Sequence, residues 1–248
     1  MVGSLQLLHE LRQQVEQHHF PDEGLLSIVA SGLIQAGEIT EALDIINSLP
    51  PGSNRDIALM SVSVQLMKKD DVADAEEMAS RIADRQLKAN AFQEIAAAQA
   101  EANRPVSALE TLDNIPDLTG RAEALASLAL EEAEHDDSAA SDTLHRALAA
   151  ANGAAPKPPN HVFATIAVTE AMLGDFDAAE GILRPLSSDA RAWAWWNIAA
   201  MMVSAGHLNR ALAIAAHEKD AHSKAYALLG SANAILDQLP KKTETAAK

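Results

Sequence analysis

The densest concentration of chemically distinctive side chains is the run "WAWW", which places Trp193, Trp195 and Trp196 within four residues. The 248-residue chain otherwise has one Tyr and four Phe. Indole rings bind by burying large rigid surfaces, and Trp is enriched where interfaces concentrate their energy. Other groups offer less. The nine histidines are scattered. His18 and His19 adjoin an expected helix end, and His217 and His222 are five apart, which keeps them off one helical face. No H-E-x-x-H pattern occurs, so the histidines do not suggest a metal site. The acidic run "EEAEHDD" over 131–137 lacks the glycine and spacing of a calcium loop and reads as a solvated face. No Cys is present, which removes thiolate metal sites, a Cys nucleophile and disulfides. No nucleophile elbow, phosphate-cradling loop or dinucleotide fingerprint is found. The expectation is no catalytic residue, no cofactor and no metal.

Net charge sharpens the exclusions. At -16, with a pI near 4.8, the surface is poorly suited to nucleic-acid phosphates or anionic lipid. A basic or apolar partner fits it better. The N-terminal stretch has no basic region followed by a long apolar run, and no run of about 18 apolar residues occurs anywhere. We therefore expect no membrane span and a cytoplasmic location. Hydrophobic residues make up 48% of the chain but aromatics only 3%, which favours closely packed helices.

The elements that would position these residues repeat. Corners between apolar helical runs fall at Gly37, Asp70, Asn103, Asp136, Gly174 and Gly206, with spacings of 33, 33, 33, 38 and 32, the long interval holding "NGAAPKPPN" at 152–160, whose Pro and Gly interrupt the period. Five residues after each corner stand Ala42, Ala75, Ala108, Ser141, Ala179 and Ala211. Seven before stand Ala30, Ser63, Ala96, Ala129, Ala167 and Ala199. Small residues at both positions let backbones approach. Eight and eleven before each corner stand large apolar residues, such as Val29 and Leu26 or Ile198 and Trp195, on the same helical face. Each unit is thus expected to be a helix of about 15 residues, a corner, and a helix of about 12. Cap candidates are Asp22, Thr40, Thr119, Asp175 and Ser188. No convincing strand is seen.

The pattern resembles the tetratricopeptide repeat (TPR) family, whose unit is a helix–turn–helix of about 34 residues. Trp195, Ile198, Ala199, Gly206, Leu208 and Ala211 match in the clearest unit. Phe163, Ile166, Ala167, Gly174, Asp175, Phe176, Ala179 and Leu183 match in the unit before, and Leu26, Val29, Ala30, Gly37, Ala42 and Ile46 in the first. The family's Tyr, second-helix Phe and terminal Pro are not kept. The resemblance implies an all-α fold, an α-solenoid with a right-handed superhelix of about six TPR-like repeats. The expected organisation is an N-terminal capping helix over 1–20, repeats over 22–221 with a break near 152–160, a C-terminal capping helix over 222–239 carrying Leu228, Leu229, Ile235 and Leu236 on an apolar face, and a polar tail over 240–248.

In that family the first helices line a concave groove that binds partner segments. By phase, the resemblance puts Met60, Val64, Met67, Leu130, Val168, Met172, Trp193, Trp196 and Val203 in the groove. The Lys/Asn set by which some members clamp a terminal carboxylate is missing. The surface is apolar and Met-containing, which suits an apolar or amphipathic protein segment. Trp195 falls on the core. Trp193 and Trp196 are either a binding hot spot or covered by the C-terminal helix. The leading expectation is a non-catalytic protein–protein scaffold, adaptor-like or chaperone-like. The alternatives are a structural protein that forms a homo-oligomer and, more distantly, an enzyme or ligand-binding protein with a pocket inside the superhelix.

Overall fold

A computed structural model describes residues 6–10, 13, 23–135 and 137–239. These residues are helical throughout, with short turns and no strand. The helices are α1 (Glu23–Ala36), α2 (Ile39–Ser48), α3 (Ser53–Met67), α4 (Val72–Ser80), α5 (Arg85–Glu101), α6 (Pro105–Asp113), α7 (Leu118–Glu132), α8 (Asp137–Gly153), α9 (Asn160–Met172), α10 (Phe176–Leu183), α11 (Ser188–Ser204), α12 (Leu208–His217) and α13 (Ala221–Gln238). The chain divides into two compact units, Met1–Ala124 and Leu125–Lys248, and the division falls within α7.

Left-handed backbone fixes the corners. Gly37, Gly174 and Gly206 have φ of 88°, 87° and 85°, and Asp70 and Asn103 have φ of 61° and 59°. These are five of the six corners spaced by the sequence; Asp136 lies outside the described residues. Each corner closes in the same way. The corner N–H donates to the carbonyl three residues back. The next N–H, from Glu38, Asp71, Arg104, Asp175 or His207, donates to the carbonyl five back at 2.7–3.0 Å. This is the Schellman closure, which satisfies carbonyls that a helix end would otherwise leave unpaired. The residue after the corner can then cap the second helix: Asp71 Oδ1 accepts the Asp74 N–H, and Asp175 Oδ1 accepts the Ala178 N–H at 2.9 Å.

First helices are capped by Asp84, Asp117 and Asp220, which accept the N–H of Leu87, Gly120 and Ser223 at 2.7–2.9 Å. Of the expected caps, Asp175 serves, whereas Thr40, Thr119 and Ser188 already lie within α2, α7 and α11, and Asp22 lies outside the described residues. Asp220 also accepts the Ser188 hydroxyl at 2.6 Å. That bond, with the Ser223 N–H and hydroxyl, holds its carboxyl down at about 2. The Ser223 hydroxyl donates to the Ser188 carbonyl, so the starts of α11 and α13 are tied together.

In the unit of residues 1–124, α1 packs on α2 and α3, α3 on α4 and α5, and α5 on α4 and α6. In the unit of residues 125–248, α9 packs on α8, α10 and α11, and α11 on α10, α12 and, most extensively, α13. The small residues sit where these helices meet. Ala30, Ala42, Ser63, Ala75, Ala96, Ala108, Ala129, Ala167, Ala179, Ala199 and Ala211 are all buried. Ser141 is not, because the fourth second helix is turned by one residue. Ala140, Thr143, Leu144 and Ala147 are buried there, and His145 is exposed. This slip precedes the interruption at 152–160. There α8 runs on to Gly153, giving 17 residues against 8–10 in the other second helices.

Polar links repeat as well. Asp56, buried inside α3, accepts the backbone N–H of Ala83 and Asp84 at 3.0 and 2.8 Å, which completes the loop before α5. Arg81 bonds Asn47, Arg104 bonds Asp70, Thr111 bonds Glu76, and Arg210 bonds Asp177. Each pair is 33–35 residues apart.

At the N-terminus, residues 6–10 are helical and Leu8 packs on Gly32, while His9 Nε2 lies 2.9 Å from Glu41 Oε2. The remainder of the expected helix over 1–20, and the tail over 240–248, lie outside the described residues. At the other end α13 lies on α11 and α12, but with its faces reversed from the sequence expectation. Ser223, Ala227, Gly230, Ser231 and Ala234 are buried, and Leu228, Leu229, Ile235 and Leu236 are exposed. The reason is distance: a Cβ on Gly230 would stand 2.1 Å from the Trp196 carbonyl oxygen, so only the small-residue face fits against α11.

The corners predict an opposed pair of stability changes. Gly174→Ala forces a Cβ into left-handed backbone and should cost about 1 kcal/mol, whereas Asn103→Gly should gain up to about 1 kcal/mol. Urea midpoints measured on the two variants check the signs. Shifts in the same direction would contradict the closure described here.

Candidate functional site

The three tryptophans of α11 have three different surroundings. Trp195 is 4% exposed and packs in the core of its unit with Ile198, Ala199 and Met202. Trp196 is half-buried. Its ring meets Tyr226 of α13 edge-on, with centroids 6.0 Å apart, and Gly230 abuts its carbonyl. Trp193 is 47% exposed, and its backbone carbonyl accepts the Asn197 side-chain amide at 3.0 Å. The C-terminal helix therefore shields one of the two tryptophans assigned to a partner surface and leaves the other open.

The remaining assigned residues also separate. Met60, Val64 and Met67 of α3 are half-buried in the first unit, and Leu130 and Met172 are half-buried in the second, packed against its core. Val168 and Val203 are a correction. They are 3% and 5% exposed, inside the core of the second unit, and offer a partner nothing. Both belong to the buried core cluster of that unit, so positions that phase places in the groove are taken up by packing. One exposed residue was missed. Ile57, thirteen before its corner as Trp193 is before Gly206, is 50% exposed on α3. Counting the same phase back from Asp70 would have found it.

Two clefts lie in the second unit. One, of about 500 Å³, is lined by Glu180, Arg184, Arg191, Trp195, Ile214, His217, Glu218 and Lys219. In a chain of net charge -16 it gathers three fixed cations. Arg184 pairs with Glu180 at 3.2 Å and Arg191 with Glu218 at 3.5 Å. Two donors at its wall, Arg191 Nε and Trp195 Nε1, are buried without an acceptor. An unmet buried donor is costly, so such groups favour a ligand that brings an acceptor. The other cleft, of about 620 Å³, lies beside the 152–160 segment and is lined mainly by Leu148, Pro158, Phe163, Ile182, Pro185 and Leu186, with Lys157 and Glu170 at its wall. Burial, and then the nearby Asp175, raise the Glu170 carboxyl, while His145 acts the other way.

In the acidic run, Glu131, Glu134 and His135 are exposed. Among the described residues no three His, Asp or Glu side chains are placed to hold a metal ion, and no helix is long and apolar enough to cross a membrane.

The three environments predict three outcomes. Trp195→Ala should cost roughly 3–5 kcal/mol, and Trp196→Ala an intermediate amount through the lost Tyr226 contact. Trp193→Ala should change stability by no more than about 0.5 kcal/mol. Thermal unfolding of the three variants checks the order, and a Trp193→Ala loss as large as that of Trp195→Ala would contradict it.

Compared with known proteins, the chain finds no matching family model, curated protein or solved structure.

Proposed function

We propose that this chain is a TPR-like helical-repeat scaffold that acts without catalysis in the cytoplasm and binds an apolar or amphipathic protein segment in the concave groove lined by its first helices. The repeat reading is supported by five closures of the same form, the first three 33 residues apart and the last two 32 apart, and by side-chain links between residues 33–34 apart. Units that touch chiefly their neighbours are the signature of a solenoid. The observation that carries the binding reading is Trp193. A large ring left half in solvent, on a helix whose Trp195 is buried and whose Trp196 is half-buried against α13, is the side chain expected at the centre of an interface. Met60, Val64 and Met67 give the first unit a soft apolar surface of the same kind.

Selection of displayed peptides on the full chain tests this. Apolar or amphipathic sequences should be enriched, and Trp193→Ala should lower their affinity by about tenfold or more. Enrichment unaffected by Trp193→Ala would refute the assignment.

The Arg191 cleft favours a second reading, in which the second unit holds a small carboxylate-bearing molecule. Its support is the pair of unmet donors, Arg191 Nε and Trp195 Nε1, beside Arg184 and Lys219. Titration with a panel of aliphatic and aromatic carboxylates should shift the fluorescence of the buried indole, and Arg191→Gln should abolish the shift. A shift that persists in Arg191→Gln, or none with any carboxylate, rejects this reading.

A further inference from the structure

The break in the repeat builds a hollow. Between Asp136 and Gly174 the spacing is 38 residues, and α8 runs to Gly153 before residues 154–159 cross to α9. The end of α8, this segment, α9 and α10 together wall the cleft of about 620 Å³. Small-molecule sites have this size and are mostly apolar with a few polar groups. Leu148, Phe163 and Ile182 line the cleft half-buried, and Pro158 and Leu186 line it buried. The α10 wall is open at Gly181, where a Cβ would meet nothing within 4 Å. Glycine weakens a helix relative to alanine, so what it contributes here is space.

One carboxyl shares the apolar wall. Glu170 stands seven residues after Phe163 on α9, two turns on and about 10 Å along the same face. It is half-buried. Burial, and then Asp175 at the start of α10, disfavour its charged form, and His145 of α8 acts the other way. No Lys or Arg is among the charges that act on it. Lys157, the other charged group of the wall, is exposed on the segment thirteen residues earlier. A carboxylate partly withdrawn from water beside a second carboxylate is stabilised by a cation brought to it.

We infer that this cleft binds a small apolar amine, its body laid on Leu148, Phe163 and Ile182 and its ammonium group against Glu170. The apolar part takes three half-buried side chains out of water, and the ammonium group donates a charge-assisted hydrogen bond to the carboxylate. A ligand of the same shape with a carboxylate adds negative charge beside Glu170 and Asp175. One with a hydroxyl leaves Glu170 without a cation. The inference rests neither on Trp193 nor on the Arg191 cleft, which favours ligands of the opposite charge.

Calorimetric titration of the full chain at neutral pH with phenylbutylamine, phenylbutanol and phenylbutyrate tests it, because the three share a body and differ in charge. The amine should bind at least about tenfold more tightly than the alcohol, and the carboxylate more weakly than either. Glu170→Gln should bring the amine and the alcohol to within about twofold of each other. Gly181→Leu should fill the cleft and weaken both by about tenfold or more. Neither substitution should lower the melting temperature by more than about 2 °C. Arg191→Gln should leave amine binding unchanged. Equal binding of amine and alcohol, a preference for the carboxylate, or no binding of the amine at about 1 mM overturns the inference. So does an amine preference that survives Glu170→Gln, binding that survives Gly181→Leu, or amine binding lost in Arg191→Gln, which would place the amine in the other cleft. The comparison of the three probes uses the unaltered chain and decides the matter whatever the substitutions do to folding.

Discussion

A helix that ends on a left-handed residue has little freedom in where the chain goes next. The two closing hydrogen bonds at Gly37, Asp70, Asn103, Gly174 and Gly206 satisfy the last carbonyls and turn the backbone by the same amount each time. The second helix therefore starts in a set direction, and its fifth residue after the corner falls back on the first helix. Only a small side chain fits there, and Ala42, Ala75, Ala108, Ala179 and Ala211 occupy the place. Glycine meets the requirement without strain. Asp70 and Asn103 meet it because short polar side chains tolerate left-handed backbone, and Asp70 gains a partner in Arg104.

Helices meet in two ways. First helices approach one another through Ala, Ser and Gly, and the limit is α11 on α13, where Gly230 leaves no room for a methyl group beside the Trp196 carbonyl. Close approach of this kind maximises dispersion contacts and tolerates little change in volume. Second helices are linked instead by single polar side chains, such as Thr111 to Glu76 and Arg210 to Asp177. Exposed pairs contribute little energy each. Their value lies in register, because each forms only when two helices 33–35 residues apart in sequence stand side by side. Arg210 also lies 5.8 Å from the Phe176 ring centroid, which joins a charge contact to an apolar one on the same link.

The tryptophan cluster shows how one helix distributes similar residues among different tasks. Successive residues are about 100° apart on a helix. Trp193, Trp195 and Trp196 therefore point to solvent, to the core and toward α13 respectively. The run is dense in sequence but is not one surface. What a partner would meet is Trp193, while Trp195 stands with Arg191 at the wall of the charged cleft.

The sequence by itself determined the helical class and the five corners described at Gly37, Asp70, Asn103, Gly174 and Gly206. These depend on local events: which residue tolerates left-handed backbone, and which side chain is small enough for contact. Position in the chain reveals both. The slip at Ala140 was not visible, because Ala140 and Ser141 are both small and the choice between them depends on how α8 is turned. Nor was the burial of Val168 and Val203, or the outward apolar face of α13. A helical wheel ranks faces by hydrophobicity, whereas the tertiary structure ranks them by how near a neighbouring backbone comes. On α13 the two rankings oppose each other. The leucines would be buried by hydrophobicity alone, but the neighbouring backbone of α11 lies so close to Gly230 that only the face of Ser223, Ala227, Gly230 and Ser231 can meet it.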